Sequence, residues 1–228
     1  MPTDNREQDD SERSESSYSD DHADEFDPEE STSSEDNLGV PVRNVVTQAF
    51  FDSIIRKAAP NCKGKRFYTR AAFLTATRSY FYLAAFFAHV THETGSLCYT
   101  EEIKKSRYCD PKAKKWPCAP GRQYYGRGPL QLTWNYNYGP CGRANRFDGL
   151  KNPDIVARNR VVAWKAALWF WMKNVRPVVG RGFEPTIRAI NGALECNGKN
   201  PGAVKARVDF YKGYCKRFGV APGPNLTC

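Results

Sequence analysis

Apolar residues recur at helical spacing over most of the chain after residue 41, and this pattern predicts a mainly α-helical fold. Residues 42–59 place their apolar side chains on one helical face, and Pro60-Asn61 ends that run. Thr69 is the predicted N-cap of a helix over residues 70–80. A second helical segment over residues 81–92 follows with no Gly or Pro between them.

The second half of the chain alternates between loop-like and helical patterns. Residues 95–138 are rich in Cys, Pro, Gly and Tyr, which predicts a long ordered loop region of the functional kind. Residues 153–172 are apolar on nearly all sides after an Asn152-Pro153 start signal, which predicts a buried helix. Two more helices are predicted over residues 186–191 and 201–218, and the best strand candidate is residues 98–103.

Charge divides the chain into two parts. Residues 1–40 carry fifteen Asp or Glu against two Arg, a net charge of −13, with few large apolar side chains. Such a serine-rich acidic segment cannot bury enough surface to fold, so a disordered tail is predicted there. Residues 41–228 carry a net charge of +22 and are the predicted single folded domain.

The cysteines indicate the compartment. All eight lie after residue 41, which is typical of a disulfide framework formed in an oxidising compartment. Zinc binding by Cys109 and Cys118 is disfavoured, because they are nine residues apart and form no CxxC pair. No secretory signal is visible at Met1. The most apolar stretch, residues 81–90, is too short to span a membrane.

Two carboxylates, Glu93 and Glu102, follow the apolar segment that ends near residue 92, and aromatic and amide side chains are frequent after them. Hydrolysis of a glycosidic bond needs such a set: one carboxyl protonates the leaving oxygen, the other acts as nucleophile or activates water, and rings and amides hold sugars. The competing interpretation, two surface acids on a cationic protein, remains open on the residues alone.

Other catalytic motifs are absent from the sequence. His92-Glu93 is not a zinc-protease signature, because Ser96 stands where the second histidine would be. The Gly126-Arg127-Gly128 turn lacks the remaining residues of a dinucleotide or phosphate loop, and no serine lies in a nucleophile elbow. A histidine such as His89, at the end of an apolar helix, is more often a hydrogen-bonded structural residue than a metal ligand.

Several segments together resemble the plant-type family 19 chitinases, closest to their short-loop class IV members. The similarity extends over about residues 44–228, and its most specific part is YYGRGP followed by NYNYGP. The segments, in chain order, are FFAHVTHETG, CYTEEI, YCD, WPCAPG, YYGRGPLQLTWNYNYGP, AALWFWM, INGALEC, DFYKGYCKRFGV and NLTC. The resemblance implies a mainly α, bilobal, lysozyme-like chitinase domain with long disulfide-tied loops.

The resemblance also implies a reaction, the inverting hydrolysis of β-1,4-linked N-acetylglucosamine. By motif match Glu93 is the general acid and Glu102 is the general base, chosen over Glu101 by its offset of four residues from Cys98. Thr133 is the hydroxyl residue that holds the attacking water.

The remaining implied site residues fall into three sets. Substrate binding is implied for Tyr108, Trp116, Tyr124, Gln131, Asn137, Lys165 and Asn191, of which the three aromatic residues would form cleft walls. Glu195 and Arg207 match charged residues that support the acid. The family's disulfides map to Cys62–Cys98, Cys109–Cys118 and Cys196–Cys228. Cys141 and Cys215 are left over, and Cys141 stands where the family usually has alanine.

Besides Cys141, the chain departs from the family pattern in two further places. A glycine-rich connector is missing between the predicted helices that meet at residues 79–82, so the two helices could be fused. The acidic tail stands where class IV relatives often carry a signal peptide and a chitin-binding module.

We therefore expect a monomeric endochitinase that acts on chitin or its oligosaccharides, without cofactor or metal, in the extracellular space or cell wall. The alternative hypothesis is a weak or inactive protein that binds chitin or the cell wall. A nucleic acid is not an expected partner, because the basic residues are scattered. A membrane is not expected either, because no apolar stretch is long enough to span one.

Overall fold

A buried helix ending at Glu93 forms the centre of the fold. Nine of the eleven residues of this helix are buried, which agrees with its almost uninterrupted apolar sequence. The structure is a computed structural model that describes residues 41–77 and 82–228. The tail predicted for residues 1–40 therefore lies outside the described residues.

The described residues form eleven α-helices and one π-helical turn. In chain order the helices are α1 (Val42–Val45), α2 (Gln48–Ile55), α3 (Gly64–Phe67), α4 (Arg70–Ala76), α5 (Leu83–Glu93), α6 (Asn135–Ala144), α7 (Ile155–Arg158), α8 (Arg160–Phe170), the π-helical turn Trp171–Val175, α9 (Arg176–Val179), α10 (Phe183–Glu195) and α11 (Pro201–Phe218). The predicted mainly α class is confirmed.

The helix predicted over residues 42–59 is two helices. The chain leaves helical geometry at Val46 and Thr47, and the Thr47 side chain accepts a hydrogen bond from the Phe50 amide at the start of α2. A threonine that caps a new helix competes with continuation of the old one. Apolar periodicity alone did not reveal this break.

Thr69 caps α4 as predicted, because its side chain accepts a hydrogen bond from the Ala72 amide. The helix is shorter than predicted, since it ends at Ala76 and Thr77 is extended. α5 begins at Leu83, after Tyr82. The question whether the missing connector fuses the two helices falls on residues 79–81, which lie outside the described residues.

Three further boundaries differ from the sequence prediction. The predicted start signal at Asn152-Pro153 precedes only the short α7, and α8 begins later with Asn159 as its cap. α6 lies within the segment predicted as loop and contains Pro140. α10 is longer than predicted and is kinked at Asn191, whereas α11 has its predicted bounds.

The buried apolar side chains of the described residues form two hydrophobic clusters. The larger one gathers residues from α2, α4, α5, α8, α10 and α11, and rings such as Phe73, Phe87 and Trp164 meet edge to face within it. The smaller one surrounds Tyr124 and Tyr138. Residues 98–103 form only an isolated bridge, Glu101 with Arg127, and no longer strand is found in the described part of the chain.

Three disulfides join the pairs that the resemblance implied: Cys62–Cys98, Cys109–Cys118 and Cys196–Cys228. The first fixes the chain just after Glu93, the second closes the loop after Tyr108, and the third attaches the C-terminus to the end of α10. Within residues 41–77 and 82–228, no helix is long and apolar enough to cross a membrane.

Candidate active site

Glu93 is the last residue of α5, and a tight turn fixes the chain that follows it. The Thr94 hydroxyl, which is buried, donates to the Val90 carbonyl and accepts from the Leu97 amide. Ser96 and Leu97 both have positive φ angles. The turn also contacts the start of α3, where the Gly64 amide donates to the Cys98 carbonyl at 2.8 Å.

A buried arginine, Arg207 of α11, connects Glu93 to a second carboxylate. Its Nη2 donates to Glu93 Oε1 and also to Glu195 Oε1, the latter at 2.7 Å. Its Nε donates to Glu195 Oε2 at 2.7 Å. The guanidinium thus makes a bidentate pair with Glu195 and a single hydrogen bond with Glu93. The bidentate geometry is the one in which arginine binds a carboxylate most strongly.

The two carboxylates that share Arg207 differ in proton affinity. Burial raises the pKa of Glu93, Arg207 opposes the rise, and the charge of Glu195 adds to it. Burial also favours a higher pKa for Glu195, but the hydrogen bonds and charge of Arg207 outweigh it and lower that pKa below the usual range. Of the two carboxyls, Glu93 therefore binds a proton more readily than Glu195.

His89 completes the surroundings of Arg207. Its Nδ1 lies 3.1 Å from Arg207 Nη1, and its Nε2 lies 2.8 Å from the Thr186 hydroxyl. Sequence reasoning placed His89 among hydrogen-bonded structural residues, and the structure gives it such bonds. Sequence reasoning did not identify Thr186, because nothing in the local sequence shows that α10 packs next to α5.

Glu102 lies in a different network, on the loop after the tight turn. Its Oε1 accepts from the Tyr108 hydroxyl at 2.9 Å, and its Oε2 accepts from the Gly126 amide at 2.9 Å. Its own amide donates to the Gly126 carbonyl at 2.8 Å. Backbone and side chain of Glu102 are thus held by one residue of the YYGRGP segment.

The neighbouring Glu101 has structural partners instead. It forms an ion pair with Lys105 at 2.8 Å and accepts from the Tyr125 hydroxyl at 3.2 Å. Burial raises the pKa of Glu101, but these two hydrogen bonds and the charge of Lys105 together lower it below its ordinary value. Glu101 is thus held by the charge of Lys105 as well as by two hydrogen bonds, which makes it a weaker base than a carboxylate without a cationic partner.

Arg127 organises the loop that holds Glu102. Its guanidinium is buried, forms an ion pair with Asp154 at 2.6 Å, and donates to the Tyr138 hydroxyl at 3.0 Å. It also stacks 3.6 Å above the Tyr125 ring. The arginine of the YYGRGP segment is therefore a packing residue, and the sequence alone did not separate this role from a catalytic one.

Thr133, Gln131 and Asn137 form one polar turn. The Thr133 hydroxyl donates to the Gln131 carbonyl at 2.7 Å, and the Asn137 amide donates to the Thr133 carbonyl at 2.9 Å. A Cβ placed on Gly126 would lie 2.8 Å from Gln131 Oε1, so this turn lies beside the residue that holds Glu102. The structure thus gathers three of the predicted site residues near the proposed base.

The three aromatic residues predicted as cleft walls differ in their exposure. Tyr108 is half-buried beside Glu102, and its ring meets Trp134 edge to face at 5.2 Å. Trp116 is also half-buried and covers Gly139, where a Cβ would come within 2.3 Å of its ring. Tyr124 as a wall is wrong: it is 0% exposed, and its hydroxyl is bonded to Ala119 and Leu150.

The last two predicted substrate-binding residues lie apart from that turn. Asn191 donates to Glu195 Oε1 at 2.8 Å, so it belongs to the network around Arg207. Lys165 is exposed on α8, and among residues 41–77 and 82–228 it has no hydrogen bond or ion pair that would join it to either network.

The two remaining cysteines are buried free thiols. Burial raises the pKa of Cys141 to about 12, despite a contact from the Asn145 amide. No group of three or more potential metal ligands is found in the part of the chain that the structure describes.

Known proteins match this fold and sequence closely. The family model described as class I chitinase, glycoside hydrolase family 19, matches residues 45–180 and 178–228. Chitinase 4 of Oryza sativa subsp. japonica is 58% identical over 205 residues, which are 83% of this chain and 72% of that protein. Endochitinase B of Zea mays is 58% identical over 201 residues, which are 82% of this chain and 72% of that protein.

Solved structures agree with the sequence matches. The crystal structure of a Family GH19, class IV chitinase from Zea mays superposes with a TM-score of 0.78 and 54% identity, covering 81% of this chain and 98% of that one. Chitinase C from Streptomyces griseus gives a TM-score of 0.70 and 37% identity, covering 81% of this chain and 97% of that one. The chain therefore belongs to glycoside hydrolase family 19.

Proposed function

We propose that this protein is an endochitinase that cleaves β-1,4 linkages between N-acetylglucosamine units within chitin chains. Membership of family 19 and the names of the plant relatives support the substrate. One observation in the site supports the reaction: a half-buried carboxyl with a raised pKa, Glu93, and a second carboxyl, Glu102, are held in separate hydrogen-bond networks. Paired acids of unlike environment are the requirement of glycoside hydrolysis.

Glu93 acts as the general acid in this proposal. Its Oε1 accepts from Arg207, so its proton is carried by Oε2, the oxygen that Arg207 does not bind. Arg207 carries a full charge, but Glu195 takes two of its hydrogen bonds. The proton can therefore remain on Glu93 until the leaving oxygen of the substrate takes it.

Glu102 acts as the general base. Both of its oxygens accept hydrogen bonds from neutral donors, and lone pairs remain for a water. The Thr133 hydroxyl donates to Gln131, so it would bind the same water as an acceptor. That water would be oriented by two acceptors, with an oxygen lone pair left to attack the anomeric carbon.

The proposed stereochemistry is inversion. An inverting enzyme needs a water between the carboxyls, which then lie about 6.5 to 9.5 Å apart. Helix α5 carries Glu93 and a separate loop carries Glu102, so the two carboxyls need not touch. We assign sugar binding to Tyr108, Trp116, Gln131, Asn137 and Asn191, which provide ring faces and amides.

The three disulfides and the plant relatives are consistent with secretion. Disulfides form and persist in oxidising compartments. We propose the extracellular space or cell wall as the place of action and a monomer as the working unit.

Turnover of a soluble N-acetylglucosamine hexamer by the purified protein tests the proposal. We expect products of the α-anomeric form by proton NMR immediately after cleavage. Products of the β form would contradict inversion, and binding without turnover would select the alternative, a chitin-binding protein without activity.

Three matched substitutions test the roles. Glu93→Gln should lower kcat by about 10³-fold with hexamer binding retained, since the amide keeps the shape but loses the proton. Glu102→Gln should lower kcat by about 10²-fold or more, because the water loses its base. Glu101→Gln is the control and should stay within about twofold, as for a residue outside the reaction. A larger loss for Glu101→Gln than for Glu102→Gln would show that the base is misassigned.

A further inference from the structure

His89 lies in the middle of α5, one helical turn before Glu93, and is 0% exposed. Its ring stacks on Phe183 of α10 at 4.8 Å between centroids. Both ring nitrogens are bonded to other helices, Nδ1 to Arg207 of α11 and Nε2 to Thr186 of α10. A packing role alone would not require both bonds.

The hydrogen-bond partners determine which nitrogen carries the proton. Thr186 donates its own hydroxyl hydrogen to the Phe183 carbonyl at 2.5 Å, so towards His89 it acts as an acceptor. Nε2 must therefore carry the hydrogen. Arginine has no acceptor, so Nδ1 must present its lone pair to Arg207. The bonds define a neutral His89 with hydrogen on Nε2.

The charges around His89 maintain this neutral state. Burial lowers its pKa well below the ordinary value, and the positive charge of Arg207 adds to the effect. The carboxylates nearest to this group, Glu93 and Glu195, direct their bonds to Arg207 rather than to the imidazole. A second ring proton would point directly at the guanidinium.

We propose that His89, oriented by Thr186, is a positioning residue that holds the third nitrogen of Arg207 and so limits how strongly Arg207 acts on Glu93. The inference rests on the proposed role of Glu93 as acid. Arg207 has three acceptors around it: Glu195, Glu93 and His89. If the imidazole acceptor is removed, an N–H of a buried cation loses its partner, and an ionised Glu93 becomes the compensating group.

The tautomer can be measured without any substrate. The chain contains three histidines, of which His22 and His92 can be assigned by substitution. Two-bond proton–nitrogen correlation spectra of the ¹⁵N-histidine-labelled protein should show His89 with hydrogen on Nε2 alone, unchanged from pH 8 to pH 5. Hydrogen on Nδ1, or protonation of His89 near pH 6, would overturn the proposal whether or not the protein is a chitinase.

Kinetics test the positioning role. In His89→Leu and Thr186→Val, the alkaline limb of the pH profile of kcat/KM on the hexamer should move to lower pH by about half to one unit. At pH values above the limb, kcat/KM should therefore fall by about three- to tenfold. His89→Gln should restore it, because an amide can accept from Arg207 and donate to Thr186. Thr186→Ser should likewise behave as the unchanged protein.

A purely structural role gives a different result. It would lower the melting temperature of the Leu and Val variants and leave the limb of the folded enzyme in place, and that outcome would refute the proposal. Thr186→Val is nearly isosteric, so it serves if His89→Leu does not fold. If the unchanged protein lacks turnover, the proposed function fails, while the NMR measurement still decides the tautomer.

Discussion

Glu195→Gln is the substitution that most directly tests whether Glu93 and Glu195 compete for the charge of Arg207. It removes a negative charge that Arg207 binds through two nitrogens. Arg207 is buried, with a side chain only 1% exposed, so its charge needs a compensating anion. Glu93 is the remaining carboxylate in contact with it, and we expect Glu93 to ionise in the variant.

The size of the effect follows from the geometry. Two hydrogen bonds of ordinary length that diverge from one nitrogen place their acceptor oxygens about 5 Å apart. At that separation and an effective dielectric constant of about 20, one unit charge contributes about 3 kcal/mol, or about 2 pH units. The Glu93 side chain is 16% exposed, and solvent there weakens the interaction. We therefore expect the pKa of Glu93 to fall by about 1 unit.

The assay is the pH dependence of kcat/KM on the soluble hexamer. A general acid must be protonated, so the alkaline limb reports its pKa and should move down by about 1 pH unit. The limb must stay in place in Glu184→Gln, a control on the same helix that removes the surface ion pair with Arg188. An alkaline limb that is unchanged or raised in Glu195→Gln would refute the sharing of Arg207.

Two other predictions concern stability. Gly64→Ala should destabilise the fold by about 2 to 3 kcal/mol in urea unfolding, because its Cβ would lie 2.1 Å from the Leu97 carbonyl oxygen. Gly213→Ala is the control, since its Cβ would meet nothing within 4 Å. An equal loss of stability in Gly213→Ala would contradict the explanation by a steric clash. Burial and the charge of Arg207 lower the pKa of His92 to about 4, so below pH ~6.5 the unfolded state binds a proton that the folded state does not, and stability falls as the pH is lowered towards 4. His92→Gln should therefore reduce the loss of unfolding free energy between pH 7 and pH 5 by about 1 to 2 kcal/mol, and an unchanged loss would count against the lowered pKa.

The helical class could be predicted from the sequence because the apolar residues on the buried face of a helix recur at helical spacing. α5 and α11 were found from apolar spacing and breakers, and α11 has its predicted bounds. The break between α1 and α2 could not be found in this way, since apolar residues continue through it. There a side-chain cap at Thr47 decides the geometry, and no Gly or Pro in residues 42–55 marks the break in the sequence.

The candidate site was predicted from motif resemblance rather than from periodicity. The resemblance implied a supporting role for Glu195 and Arg207, and in the structure Arg207 contacts both Glu93 and Glu195. The resemblance failed for Tyr124, because nothing in the sequence of a loop segment separates a tyrosine of the core from a tyrosine of a cleft wall. The role of Thr186 was missed because it depends on how α10 packs against α5.

The two proposed catalytic carboxyls depend on different kinds of structure. The surroundings of Glu93 are made by three helices, α5, α10 and α11, which pack in the larger hydrophobic cluster. The surroundings of Glu102 are made by loop segments that Gly126 and Arg127 hold together. A change in helix packing therefore alters the proton affinity of the acid, whereas a change in the loops alters the position of the base. The tight turn after Glu93 lies between the two parts in the chain, so its geometry influences the distance between the two carboxyls.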